Sequence, residues 1–530
     1  MFRSDEGIDG RTRATDLLLV LTAVLLTRFS WTPTFLWTDN VNLAYALETF
    51  DPRLHQPQPP GYPLFVFFAR LVHSFIPSVE VTFWIVSVVA TIGAAWVLYR
   101  LANRMFSQWV AIAATILFML NPVFWFTRLQ SPLRPWLALF STLVAYCAWR
   151  CWKGEQRFAL WGALALGIGT GFRPDLLAYL FPLWAAPAWI ATRSWKTMAQ
   201  GGLIIAALSA VWLGAVVVAM GGIAAAAGTF TAYLNEHSRL YSVFFAESTR
   251  NWLRPVSRLI IWNVMAVVGW VWAPIIGYRH LSVKDAPWSF LLIWIAPGLA
   301  SQLVFHIAAP GHTLFATPVL CLTGAYLISA FRRRRDAILV IAAGVNAALF
   351  LNAVPRGYPP SPQASTLEKA WISLKNSIAY GTFETSQERL LWWEEMREVS
   401  LQELERFAAS DRANTIVALN GNDTEFDFIN WREAGYYMNR QPMWVLMDNL
   451  PAGQSGRIRL IRGKDVQVTP RSTVPLPRSG RVLWIAQPEG HFHRALERVM
   501  KVHRGRYILY ADIPAGQGPF EIEGFRFVPE

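Results

Sequence analysis

From about residue 16 to residue 353 the chain alternates apolar runs with short polar turns. A helix of about twenty apolar residues crosses the roughly 30 Å hydrocarbon core of a bilayer. About eleven runs are predicted as spans, near 16–36, 79–100, 107–127, 133–152, 157–172, 176–192, 200–220, 256–277, 287–306, 312–331 and 337–353. The run 64–75 is apolar but short, and it follows a Pro-Pro-Gly-Tyr-Pro break. It is expected to lie on, or dip into, the outer surface. After Val354 the pattern changes. R-G-Y-P-P-S-P marks a linker, and residues 365–410 read as helical. Strand-like runs then follow at 415–419, 443–447, 457–461, 466–469, 481–486, 506–511 and 520–527, with helices at 427–438 and 492–501. This alternation predicts a small α/β domain. The expected fold class is therefore an α-helical polytopic membrane domain over 1–354, with about 11 transmembrane helices, followed by a small extracytoplasmic α/β domain over 355–530.

Composition supports a membrane protein. The chain is 54% hydrophobic and 16% charged, whereas soluble domains average about 25% charged. A net charge of +13 would suit nucleic acid, but many basic residues sit at the ends of apolar runs, where they set topology. If odd-numbered spans run outward, the inner turns hold Arg100 and Arg104; Arg150, Lys153 and Arg157; Arg193 and Lys196; Arg279 and Lys284; and Arg332 to Arg335. Every inner turn is then basic, and no nucleic-acid partner is needed to explain the charge. Arg3, Arg11 and Arg13 precede the first apolar run, and no small-residue cleavage site follows it. The expectation is an uncleaved first span, a cytoplasmic N-terminus and an outer C-terminus. Cys147, Cys151 and Cys321 all lie in or beside spans, so no disulfide framework is expected in the C-terminal part.

Candidate chemistry concentrates on the outer side. The segment 37–63 carries Asp39, Glu48, Asp51 and His55, and it ends in a Pro/Gly cluster. Two readings stay open. It lines a cavity, where irregular polar backbone is tolerated beside a bilayer. Alternatively it is a surface helix over 41–50, capped by Asp39 or Asn40 and stopped by Asp51-Pro52. Arg128, Arg134, Arg173, Arg239, Arg250, Arg254 and Arg258 also fall on the outer side. Singly, each would snorkel to lipid headgroups; as a set beside an acidic loop they suit an anionic, lipid-linked ligand, because the guanidinium fork fits phosphate. Residues 229–249 predict an amphipathic surface helix. Pro310-Gly311 breaks a helix pair, flanked by His306 and His312 at a spacing poor for metal. No metal-ligand set is visible, which leaves a divalent ion open. The C-terminal part shows no Gly-rich phosphate loop and no nucleophile elbow, and reads as a structural or acceptor-binding module.

Taken together, Asp39 in W-T-D-N, the Pro59-to-Leu64 run, Arg134-Pro135-Trp136, Arg173-Pro174 and Pro310-Gly311 resemble the GT-C superfamily of integral-membrane glycosyltransferases. The resemblance is in particular to bacterial relatives of protein O-mannosyltransferases and of the aminoarabinose transferase. The resemblance covers about residues 10–350. It departs at Pro57-Gln58, where some members carry a second acid, and at His312, where relatives often have Tyr. It implies transfer of a hexosyl or pentosyl group, on the outer face and with inversion, from a polyprenyl-phosphate sugar donor to a lipid, glycan or protein acceptor hydroxyl. It further implies Asp39 as general base, and Arg128, Arg134, Arg173 and His312 as ligands of the donor phosphate. Asn40, His55, Gln58 and Tyr62 would bind substrate, no organic cofactor is needed, and a bacterial inner membrane is the expected location. The rival reading is a transporter or flippase of a lipid-linked sugar, which predicts mid-membrane ionisable residues and related halves. A scaffold that binds cell-wall polymer is a third reading, and it leaves the acidic first loop unexplained.

Overall fold

The computed structural model describes residues 22, 38–245, 249–277, 287–305, 307, 309–351, 365–370, 384–408, 414–420, 431–437, 442–447, 458–462, 465–469, 473–476, 480–486, 490–505, 509–513 and 518–529. Two compact units divide the chain. One comprises residues 1–33 and 46–390; the other joins residues 34–45 to residues 391–530. The expected boundary at 354–355 falls outside the described residues, and the expected first span at 16–36 lies outside them but for residue 22.

The first unit is helical. Among the described residues, two helices are long and apolar enough to cross a membrane, Val79–Met105 and Trp195–Ala219, and the bent pair Gln108–Met119 and Pro122–Gln130 adds a third if it counts as one span. Phe158–Phe172, Leu176–Thr192, Trp288–Val304 and Thr317–Ser329 are apolar but shorter. Expected spans thus appear as helices, but several are broken. The run 107–127 is bent by 52°. Pro122 cannot donate to the preceding turn, and Asn121 restarts the helix by accepting the Val123 and Phe124 N–H groups. Expected 256–277 splits into Thr249–Val267 and Trp272–Ile276, and expected 312–331 opens with a 3-10 turn, Pro310–Phe315, before Thr317–Ser329. The surface helix expected at 229–249 instead runs Ile223–Tyr241, and Thr249 opens the next helix. Leu203, Val211 and Val218 stand exposed on Trp195–Ala219, the kind of apolar surface a bilayer covers. Pro63–His73 is an eleven-residue helix, too short to span, with Phe67, Leu71 and the following Phe75 exposed.

The second unit holds a seven-stranded sheet of order β4-β3-β2-β1-β6-β8-β7. The strands are β1 (Asn414–Asn420), β2 (Met443–Met447), β3 (Ile458–Arg462), β4 (Asp465–Thr469), β6 (Gly480–Ile485), β7 (His503–Arg504) and β8 (Leu509–Ile513). β1 pairs parallel with β2 and β6, as a crossover helix requires. β3 and β4, at two of the expected strands, pair antiparallel. A second sheet joins β5 (Thr473–Leu476), β9 (Phe520–Ile522) and β10 (Phe525–Pro529). Two expectations are corrected. The single last strand at 520–527 is two strands turned by Glu523 and Gly524, both at positive φ. Short β5 and β7 went unpredicted because four and two residues carry too little alternation to register.

Asn121 also donates to the Ala266 carbonyl at 2.8 Å, and its side chain is fully buried. Asn121→Ala removes the cap and strands a buried carbonyl. We expect a loss of about 1–3 kcal/mol, read as a lowered unfolding temperature of the purified protein in detergent.

Candidate active site

Two Arg-Pro turns of the first unit are stacked on one another. Pro135 opens the helix Pro135–Trp152, a position that tolerates its missing N–H. Arg173, Pro174 and Asp175 join Phe158–Phe172 to Leu176–Thr192. Trp136 of the first turn stacks on Phe172 of the second at 4.4 Å between ring centroids, and Phe68 meets Trp136 edge-on at 5.2 Å. Gly171 accepts Leu64 so closely that a Cβ there would lie 2.5 Å from its side chain. The start of the short surface helix is thereby seated two residues from Arg173. Gly61, just upstream, has φ +105°, and a Cβ on it would press Phe50 and Pro52 at 3.0 Å. The Pro-Pro-Gly-Tyr closure of the first loop therefore packs where it does only with glycine.

The outcome is a compact polar cluster. The Arg173 guanidinium lies 5.2 Å from the Tyr62 ring. Its Nε and Nη2 donate to Asp175 at 3.1 and 2.6 Å. Tyr179 donates to the same carboxylate at 3.3 Å. Burial opposes both charges of the pair, but each partner more than offsets it: Arg173 is held above its ordinary pKa, and Asp175 below the usual carboxylate range. Arg134 also lowers Asp175. Gln302 links Tyr179 to the backbone of the Pro310–Phe315 turn, where its amide donates to the His312 carbonyl. Gly311 in that turn packs against Thr127 and the Arg134 stem, where a Cβ would lie 2.6 and 3.0 Å away. Tyr62, Arg134 and Arg173, far apart in sequence, thus gather at the Arg173–Asp175 pair, and the backbone of His312 is tied to it through Gln302 and Tyr179. All four are buried. Arg128 is buried too, its guanidinium 5.7 Å from the Trp125 ring and its carbonyl held by Ser87 at 2.7 Å. Sequence reasoning missed Asp175, Tyr179 and Gln302. Asp175 was signalled by its place in F-R-P-D, two residues from Arg173.

Asp39 is half-buried in the first turn of the helix Thr38–Glu48. An acid there is favoured by the helix dipole by about 0.3–1 kcal/mol. The helix begins and ends earlier than the expected 41–50, so neither Asp39 nor Asn40 is its N-cap. Asp51 instead caps the 3-10 turn Pro52–Leu54 and binds Arg53 at 2.7 Å. Residues 38–45 belong to the second unit. Within it Arg432 donates to Asn42 Oδ1 at 2.8 Å and lies 4.6 Å from the Tyr45 ring. Burial pulls the Arg432 pKa down to about 10, with Tyr45 opposing the fall and Arg459 adding to it. Burial raises Tyr45 to about 12, against the pull of Arg432.

The remaining expected residues are placed as follows. Asn40 is buried. His55 is exposed in a left-handed turn. Gln58 is buried, and its Oε1 has no hydrogen-bond partner among the described residues. His306 lies outside the described residues. Among the described residues no three His, Cys, Asp or Glu side chains gather as a metal site.

Neither a protein-family model nor a curated protein sequence matches the chain. Its structure is similar to that of ArnT from Cupriavidus metallidurans bound to undecaprenyl phosphate, with a TM-score of 0.58 over 95% of this chain and 99% of that one, at 12% identity. The chain has the GT-C fold. Apo ArnT matches equally, with a TM-score of 0.58 at 12% identity over 96% of this chain and 100% of that one. The apo oligosaccharyltransferase of Archaeoglobus fulgidus reaches only 0.40, at 12% identity over 78% of this chain and 62% of that one, and is given no weight.

Asp175→Asn would leave the Arg173 charge without its carboxylate. Breaking a buried pair costs about 3–5 kcal/mol; Asp175 keeps 29% side-chain exposure, so the loss should fall at or below the low end. A depressed carboxylate pKa adds stability above its unfolded value, and that stability disappears as pH falls through the lower folded value. The variant should therefore show a lower unfolding temperature at neutral pH and a flatter acid limb than wild type.

Proposed function

We propose that this protein is a membrane glycosyltransferase that moves a sugar from a polyprenyl-phosphate donor to an acceptor hydroxyl on the extracytoplasmic face. The carrying observation is the buried Arg173–Asp175 pair, with Tyr62 against its guanidinium and Arg134 acting on the same carboxylate, within a fold shared over 95% of the chain with an ArnT bound to undecaprenyl phosphate. The fold alone would not assign a chemistry; the cationic cluster does more, because a departing phosphate gains charge that fixed guanidinium donors stabilise. A nucleotide sugar is cytoplasmic, so an outward-facing transferase needs a lipid carrier.

In this reading Asp39 takes the proton from the acceptor hydroxyl as its oxygen attacks the anomeric carbon. The bond to the phosphate oxygen breaks on the opposite side, so the configuration inverts and polyprenyl phosphate departs. Arg134 is the principal phosphate ligand. Arg173 commits two of its five N–H donors to Asp175, so its Nη1/Nη2 end still offers a fork to the phosphate while its face lies against Tyr62. Arg128 and His312 complete the phosphate set, while Asn40, His55, Gln58 and Tyr62 contact sugar or acceptor. The buried, unpartnered Gln58 Oε1 suits acceptance from a sugar hydroxyl. The protein spans the membrane about eleven times, the first-unit helices short of a full span being packed against one another. Its N-terminus is cytoplasmic and its C-terminal domain outside, in a bacterial inner membrane.

Cells lacking the protein should accumulate a polyprenyl-phosphate monosaccharide, visible by mass spectrometry of their lipids. Wild type should clear it and Asp39→Asn should not, although the variant inserts and folds normally. Normal clearance by Asp39→Asn would falsify the assignment of the base. A glycolipid trapped on the inner leaflet would favour the flippase.

A further inference from the structure

We propose that the C-terminal domain sets the position of Asp39, through a clamp formed by Arg432 and Tyr436 on the helix Thr38–Glu48. Arg432 is thus a positioning residue, and its use in catalysis rests on Asp39 being the base. Three observations carry this. First, residues 38–45 cluster with residues 391–530 as one compact unit, although about 350 residues separate them in sequence. Second, Asn42 and Tyr45 follow Asp39 at successive three-residue steps, which places neighbours along a helix surface, and both are gripped. Arg432 Nε donates to Asn42 Oδ1 at 2.8 Å, and both side chains are buried. Its guanidinium lies 4.6 Å from the Tyr45 ring, and Tyr436 meets that ring edge-on at 5.3 Å. Third, the clamp is rigidly backed. Arg432 and Tyr436 are four apart on the helix Trp431–Tyr437. Ala434 of that helix enters the core with Ile416, Met443, Val445 and Ile461, and Gly435 packs on Met443. The two jaws are therefore fixed to the centre of the sheet.

The chemistry explains why an arginine is used. Removing a guanidinium from water is costly, as its lowered pKa records. An apolar residue of similar volume would pack there at less cost. What the guanidinium adds is direction: a planar donor bound to one amide oxygen fixes the rotation and height of the helix that carries Asp39. A base misplaced by about 1 Å loses on the order of a hundredfold in rate.

The test uses the full-length protein in detergent or nanodiscs, with Arg432→Met, Arg432→Lys, Asn42→Leu and the double variant Asn42→Leu/Arg432→Met. Hydrogen exchange of residues 38–45 needs no substrate and reads the clamp directly. Arg432→Met should raise exchange there while β1 and β6 stay protected. Activity is assayed with the polyprenyl-phosphate monosaccharide purified from cells lacking the protein. Arg432→Met should lower kcat tenfold or more with donor KM within about twofold, Arg432→Lys should recover part, and the double variant should be no slower than the worse single. Where Arg432→Met does not accumulate, Asn42→Leu addresses the same contact from the other side. Unchanged exchange at 38–45 overturns the clamp whatever Asp39 does. Raised exchange with unchanged kcat overturns its catalytic use. Raised exchange together with an active Asp39→Asn variant upholds the clamp and rejects the base instead.

Discussion

A guanidinium carried out of water must recover its lost hydration from the protein, and much of this structure is arranged around doing so. Arg173 recovers it from a bidentate carboxylate and a tyrosine face. That requirement fixes the turn that bears Asp175, the seat of Tyr62 and, through Tyr179 and Gln302, the distant 3-10 turn with His312. A charge–charge contact in a poorly hydrated site is strong enough to hold several elements to one geometry. The aromatic stack of Trp136 on Phe172 keeps the two Arg-Pro turns in contact beneath it.

The same constraint recurs in the second unit with a different solution. Arg432 is buried beside an amide oxygen and two aromatic rings, Tyr45 and Trp431. In the first unit a guanidinium is balanced by a carboxylate. In the second, a directional but neutral grip ties the Asp39 helix to a rigid sheet. The fold is shared with ArnT at 12% identity, and therefore without most of its side chains. Packing periodicity can be met by many sequences, so the fold alone assigns no chemistry.

How much was legible varies by element for physical reasons. Each long apolar run from residue 79 onward announced helix, and the strands β1, β2, β3, β4 and β6 were visible in alternation and length. The breaks were harder to see. Asn121-Pro122 sits inside an apolar run whose hydropathy barely dips, yet local capping bends it by 52°. Arg134, Arg173, Tyr62 and His312 were singled out as residues, but Asp175 was passed over because a carboxylate beside an arginine in a turn looks like ordinary surface chemistry until its burial is known.

The sequence by itself determined a largely helical chain with α/β elements towards its C-terminal end, because apolar length and strand alternation are properties of consecutive residues. It also set which residue types stood available on the polar turns. Tertiary structure alone decided that Asp175 pairs with Arg173, that Tyr62 lies over it, and that Asn42 of the first loop meets Arg432 nearly four hundred residues later. Those pairings depend on desolvation, which arises only when distant segments exclude water together and which no local pattern records.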